Sequence, residues 1–145
     1  MSTKLEELEN YDKFTEFIDK LPPKGPPVYF FFSGKKKDNG QSWCIYCQLA
    51  EPVVKAYLNE LKKDTIFVTV DVGDSVTYSV YGNPTHISTL ITTCRWREKD
   101  CPFRTDSRLK LMVIPTIIRW KGVQRLEGSQ CTKRELLQML FEDDE

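Results

Sequence analysis

Histidine is nearly missing from this chain: among 145 residues only His86 carries an imidazole. A Cys–His hydrolase would depend on that one side chain. Its Asn83-Pro84-Thr85 approach reads as an exposed loop, so His86 is taken as a surface residue and that chemistry is set aside. Net charge is missing too. Lys plus Arg and Asp plus Glu both number 21, leaving no overall field to recruit nucleic acid or an acidic membrane surface. Long apolar runs are also absent. Val28 to Phe32 and Leu111 to Ile118, the latter broken by Pro115, fall far short of the ~20 residues that cross a bilayer. Met1 to Asn10 is acidic and polar where a secretory leader has basic and then apolar residues, so the expectation is a soluble, cytoplasmic protein. There is no internal repeat and no low-complexity tract.

What is present suits one ordinary core. Hydrophobic residues make up 40% and aromatics 12%, which predicts a single domain over 1–145. The five cysteines are odd in number and include one close pair, within Trp43-Cys44-Ile45-Tyr46-Cys47. Small secreted domains carry even, dense frameworks; in a reducing compartment this pattern favours chemistry or metal over structural bridges.

Periodicity supplies the elements. Phe14, Phe17, Ile18 and Leu21 recur at helical spacing from Tyr11, and Pro22-Pro23 with Gly25-Pro26-Pro27 end that helix. Val28 to Phe32 is a buried strand, and Ser33 to Ser42 reads as a solvated loop. Cys47 to Leu61 is a helix with Pro52 as a kink, and Asp64 to Asp71 a second buried strand, which makes a right-handed parallel βαβ unit. Phe103 to Leu111 is expected as a short helix, Thr116 to Trp120 as a strand, Lys121-Gly122 as a hairpin turn and Val123 to Leu126 as the returning strand. Thr132-x-x-Glu135 reads as a capping box for a last helix carrying Leu136, Leu137, Leu140 and Phe141.

Two thiols three positions apart at a helix start lie within disulfide reach, and the helix terminus favours an anion on the first. The unpaired N–H groups and dipole there are worth up to about 1–2 kcal/mol, about one pKa unit. Only a thiolate attacks a disulfide, so Cys44 is the expected nucleophile and Cys47, further in and less exposed, the resolving thiol. A four-sulfur zinc site from Cys44, Cys47, Cys94 and Cys101 is the rival, but the second pair is spaced too widely for a zinc knuckle. Trp43 is expected to cover the dithiol and to offer partners an apolar surface. Lys35 to Lys37 either lend positive potential to the site or are a solvated charge run.

The element order, with Cys-x-x-Cys at the first strand-to-helix junction and a proline before the third strand, is that of a thioredoxin fold, an α/β fold with a central mixed sheet flanked by helices. Tyr29-Phe-Phe-Phe-Ser-Gly-Lys35, Ser42-Trp-Cys44, Cys47-x-x-Ala-Glu-Pro-Val-Val54, Val72-Gly-Asp74, Pro115-Thr116 and Met139-Leu-Phe-Glu-Asp143 resemble the thioredoxin domain-containing protein 17 family. The resemblance implies a cis Ile114–Pro115 bond facing the dithiol, with Ile114 offering its backbone to a substrate strand. It implies a disulfide reductase for small disulfides or accessible protein disulfides, with peroxide and cystine reduction and a part in signalling. The implied electron source is NADPH, through a thioredoxin-reductase-like enzyme. No bound cofactor or metal is expected, and the chain is expected to be a monomer. The Ser33 to Ser42 loop is expected, as in the family, to narrow the set of large partners.

This chain also departs from its relatives. They typically carry Pro and Asp between the cysteines, where Ile45 and Tyr46 stand here. Loss of the proline loosens the turn slightly, and loss of the carboxylate removes repulsion against a Cys44 thiolate, so a more acidic Cys44 and a more oxidising couple are expected. The Val28 to Phe32 strand has no buried acid of the kind full thioredoxins place near the dithiol, so proton transfer at Cys47 must use water or another group. An insertion of unassigned structure is expected at about 75–94. Cys94, Cys101 and Cys131 are taken as ordinary thiols, Cys131 at a position where the family often has cysteine. The opposing functional reading is a catalytically weak interaction module in redox signalling, marked by the Ile-Tyr pair.

Overall fold

β2 (Val28–Ser33) and β3 (Thr65–Asp71) form the parallel centre of a sheet, joined by α2 (Ile45–Glu60) as the crossover. Every residue of β2 is buried, as a strand covered on both faces requires. The computed structural model describes residues 3–73, 96 and 101–142; the expected insertion at 75–94, with His86 and Cys94, lies outside the described residues. The described sheet has five strands in the order β1-β3-β2-β4-β5. β1 (Thr3–Leu8) runs parallel to β3, while β4 (Thr116–Arg119) is antiparallel to both β2 and β5 (Arg125–Glu127). This mixed sheet with helices against it is the arrangement expected from the element order.

Alternation along the strands divides the core in two. Phe30 and Phe32 of β2 join Val68 and Val70 of β3 and pack on Phe14 of α1 (Tyr11–Asp19). Tyr29 and Phe31 point the other way, toward Ala50, Val54 and Tyr57 of α2 and Leu137, Leu140 and Phe141 of the last helix. Each fully buried aromatic contributes roughly 1.5–3 kcal/mol, so these paired layers fix α2 over one face of β2 and β3. α1 is opened by the Asn10 side chain, which accepts the Lys13 N–H at 2.9 Å.

Three sequence expectations are corrected and one strand is added. β1 was not anticipated, because Thr3 to Leu8 is acidic and only half-buried, as suits an edge strand. The helix expected over Phe103 to Leu111 is the single turn α3 (Pro102–Thr105). Asp106 stops it: its carboxylate accepts the Arg108 backbone N–H at 2.8 Å, and Lys110 then turns to a φ of 46°. Beyond β4 the reversal is wider than a two-residue hairpin, with Lys121 at a φ of 71°, Val123 exposed, and pairing resumed only at Arg125. Thr132 does not cap the last helix. It sits in a 3₁₀ turn (Gly128–Thr132), where its hydroxyl donates to Ser129 O at 2.7 Å, and α4 (Arg134–Glu142) starts after Lys133.

Candidate functional site

The chain leaves β2 at Ser33 and returns to α2 through a folded loop, where the sequence suggested only solvated chain. Lys36 and Ser42 form a bridge, Lys37 N–H donates to Gln41 O at 2.7 Å, and Lys35 N–H donates to Gly73 O at 3.0 Å. Trp43 anchors the same point, its indole N–H donating to Gly73 O at 2.8 Å. Its ring lies over Gly34, where an added Cβ would stand 2.7 Å from the indole Cε2, so only glycine fits beneath it.

Cys44 is the N-cap of α2, with extended backbone (φ −88°, ψ 119°). Its Sγ accepts the Cys47 N–H at 3.3 Å, taking the place of a capping oxygen. Ser42 Oγ accepts the Cys44 N–H at 3.1 Å, and Gln48 Nε2 donates to Ser42 O at 2.6 Å, which ties the loop to the first turn of α2. The expected cis Ile114–Pro115 bond is present, and Cys44 Sγ lies 3.8 Å from Ile114 O. Cys44 and Cys47 are both thiols, 8% and 1% exposed respectively.

Cys47 holds its proton strongly. Its hydrogen bond to Cys44 and then its burial push its pKa up, against hydrogen bonds from the Gly34 backbone and the Ser33 side chain. The two sulfurs are therefore unequal: Cys47 keeps a proton and directs it at Cys44. Ser33 and Gly34 were not singled out in the sequence as partners of Cys47. The available signal was a small hydroxyl residue ending a buried strand just ahead of a glycine.

The remaining candidates fall into two groups. Ile45, Tyr46 and Leu49 on the first turns of α2 and Met112 and Val113 ahead of Pro115 are exposed apolar side chains on the two segments that flank Cys44. The lysine run is partly committed to local ion pairs, Lys36 Nζ lying 3.0 Å from Glu51 Oε2 and Lys35 Nζ 4.0 Å from Asp71 Oδ2. Cys131 is wholly buried behind Pro115, 3.7 Å from Pro115 O, and burial pushes its thiol up to about 12. Cys101 belongs to the α1-side core. Among the described residues no cluster of metal-ligating side chains occurs, and no helix is long and apolar enough to cross a membrane.

Comparison with known proteins bears on the family and the fold. The family described as thioredoxin domain-containing protein 17-like, thioredoxin domain, matches residues 7–143. Thioredoxin domain-containing protein 17 of Danio rerio is 31% identical over 137 residues, 94% of each chain, and the Homo sapiens protein of that name is 28% identical over the same share. Thioredoxin O1 from Arabidopsis thaliana, solved in the oxidized state, matches with a TM-score of 0.53 at 19% identity, covering 95% of this chain and 98% of its own, a likeness that establishes the fold. With a thioredoxin fold and a match over nearly its whole length, the chain belongs to the thioredoxin domain-containing protein 17-like family, and a thioredoxin-like redox role follows from that membership.

Proposed function

We propose that the protein is a disulfide reductase in which Cys44 attacks and Cys47 resolves. The Cys44 thiolate attacks one sulfur of a disulfide R1–S–S–R2, forming the mixed disulfide Cys44–S–S–R1 and expelling the R2 thiolate, which takes up a proton. Cys47 then gives up its proton and attacks Cys44 Sγ, expelling R1 as the second thiol. Two electrons pass to the substrate and an internal Cys44–Cys47 disulfide remains. A thioredoxin-reductase-like enzyme supplied with NADPH returns it to the dithiol. The same dithiol reduces cystine, and a peroxide ROOH to ROH and water. The observation that carries this reading is the Cys44 sulfur in the capping position of α2, on the Cys47 N–H at 3.3 Å, with Ile114 O on its other side.

Substrates meet an apolar rim of Ile45, Tyr46, Leu49, Met112 and Val113 and the backbone ahead of Pro115, an arrangement suited to an extended chain carrying an accessible disulfide. Trp43 supports this rim through its hold on the loop. The same exposed rim is what favours the second reading, an interaction module of low activity in redox signalling. One assay divides them. Wild type, supplied with a reductase and NADPH, reduces cystine and an accessible protein disulfide; Cys44→Ser does neither, and Cys47→Ser accumulates the mixed disulfide. Equal rates for wild type and Cys44→Ser would remove the reductase reading.

A further inference from the structure

The resolving step requires Cys47 as an anion, yet Cys47 is 1% exposed and no residue of β2 is an acid. What meets its sulfur is the end of β2. Ser33 follows Tyr29 and Phe31 on the face covered by α2, it is buried, and the chain turns out of the strand immediately after it. Its hydroxyl approaches a backbone acceptor only at 3.5 Å, Gly34 O, the outer limit of a hydrogen bond, which leaves its proton available to sulfur.

We propose that Ser33 Oγ–H and Gly34 N–H form a two-donor cradle that holds the Cys47 sulfur as a thiolate during resolution, taking the place of a buried acid. The inference rests on the reductase reading of the pair. Its logic is that of an oxyanion hole: fixed donors aimed at the atom on which charge develops, here on a side chain only 1% exposed.

The balance shifts between the two half-steps. In the resting dithiol the strongest influence keeping the proton on Cys47 is its hydrogen bond to the Cys44 sulfur. Once Cys44 is bonded to R1 it carries no negative charge, and that influence is gone. Burial then opposes the Cys47 anion, while the hydroxyl and the amide favour it. The proton released by Cys47 is matched by the one taken up by the departing R1 thiolate, so the serine donates a hydrogen bond without changing its own protonation.

Glu7, Glu9 and Lys13 line an open cavity together with Ser33 and Gly34, while the two carboxylates nearer the dithiol are engaged elsewhere. Asp71, in register with Ser33 on β3, accepts the Gly73 N–H at 2.7 Å and lies 4.0 Å from Lys35 Nζ. Glu51, one turn along α2 from Cys47, is drawn to Lys36 and Lys55, at 3.0 and 3.5 Å. Cys131 stands behind Pro115 on the far side.

Single-turnover reaction with a chromogenic aryl disulfide separates attack from resolution. Ser33→Ala is expected to slow decay of the mixed disulfide about 10-fold or more and to move its midpoint up by about one pH unit, while the Cys44 attack changes less than about twofold. Ser33→Thr, which keeps the hydroxyl, is expected to restore both. A second measurement needs no turnover. Titrating the Cys47 thiol in Cys44→Ser, which removes the neighbouring charge as the mixed disulfide does, should give a pKa about one unit lower than in Cys44→Ser/Ser33→Ala. Equal Cys47 pKa values in those two proteins, or a Ser33→Thr variant as slow as Ser33→Ala, would overturn the cradle. Loss of all disulfide reduction by wild type together with a hydroxyl-dependent Cys47 pKa would overturn only the reductase reading.

Discussion

Two sulfurs lie on opposite sides of the Ile114–Pro115 step, and their surroundings make them different reagents. Cys44 faces the Cys47 N–H at the start of α2, with Ile114 O 3.8 Å away. Cys131 is wholly buried in the α2-side core, with Pro115 O at 3.7 Å and Leu126 O at 3.6 Å, and that burial outweighs a backbone hydrogen bond from Ile117. An N–H group at a helix start favours a sulfur anion; removal from water disfavours it and keeps the proton on the thiol. Reactivity is thus set by burial and by position, Cys44 capping a helix start and Cys131 lying wholly in the core, since the side chains are chemically identical.

The largest test of this contrast exchanges each sulfur for oxygen. Cys44→Ser is expected to lower the rate of disulfide reduction by at least about 10³-fold, since a serine hydroxyl there has no adjacent base. Cys131→Ser should leave the rate within about twofold and cost about 1 kcal/mol of stability, because the hydroxyl keeps both carbonyl acceptors but buries a more polar atom. Steady-state turnover and urea unfolding measure the two effects. In the folded protein near neutral pH, iodoacetamide should label Cys44 and spare Cys131, whose thiol stands at about 12.

The scaffold on the reactive side can be broken without touching sulfur. Gly34→Ala sets a methyl group 2.7 Å from the rigid Trp43 ring, which must move or strain the loop. A loss of about 2–3 kcal/mol in unfolding free energy is expected, with a change in tryptophan fluorescence as the indole N–H leaves Gly73 O. An unchanged emission spectrum would show that the ring is not held as described.

A region away from the dithiol gives a contrasting, purely structural use of charge. Burial alone would raise the Asp106 pKa, but hydrogen bonds from Arg108 and Tyr11 outweigh it and hold the carboxyl at about 2. The folded value lies below the unfolded value of roughly 3.9, so the stabilisation is fully present above about pH 4 and is lost as pH falls toward 2. It amounts to about 2 kcal/mol, and Asp106→Asn should remove this part of the acid dependence. Unfolding followed between pH 5 and 2 checks it, with the slope flattened in the variant.

The difference between these regions also explains what could be read from residues alone. The dithiol, the Cys44 cap and the two central strands depend on local spacing and on continuous apolar runs, and they were legible. The cis Ile114–Pro115 bond came through family resemblance, because nothing in Ile-Pro-Thr specifies the isomer. β1 was not legible, since Thr3 to Leu8 is stabilised by its pairing with β3 rather than by its own pattern. The helix after Cys101 was overextended because Leu109 and Leu111 keep helical spacing while Asp106 diverts the backbone into a turn. Ser33 escaped notice because its meaning lies in the placement of Cys47 over the end of β2, a tertiary fact carried by the two aromatic layers.

The smallest effect bears on the residues between the cysteines. Tyr46 is exposed, two residues along the chain from Cys44. In Tyr46→Asp a negative charge roughly 7 Å from the sulfur, largely in water, repels a thiolate by about 0.5–1 kcal/mol, which corresponds to roughly half a pKa unit. The sign follows from the charges: repulsion penalises the anion, so the Cys44 pKa should rise in the variant and fall back as salt screens the pair. Titration by thiolate absorbance at low and high ionic strength checks both parts. An equal or lower Cys44 pKa in Tyr46→Asp would show that the amide groups at the start of α2 alone set the acidity of this sulfur, with the intervening residues serving only the shape of the apolar rim.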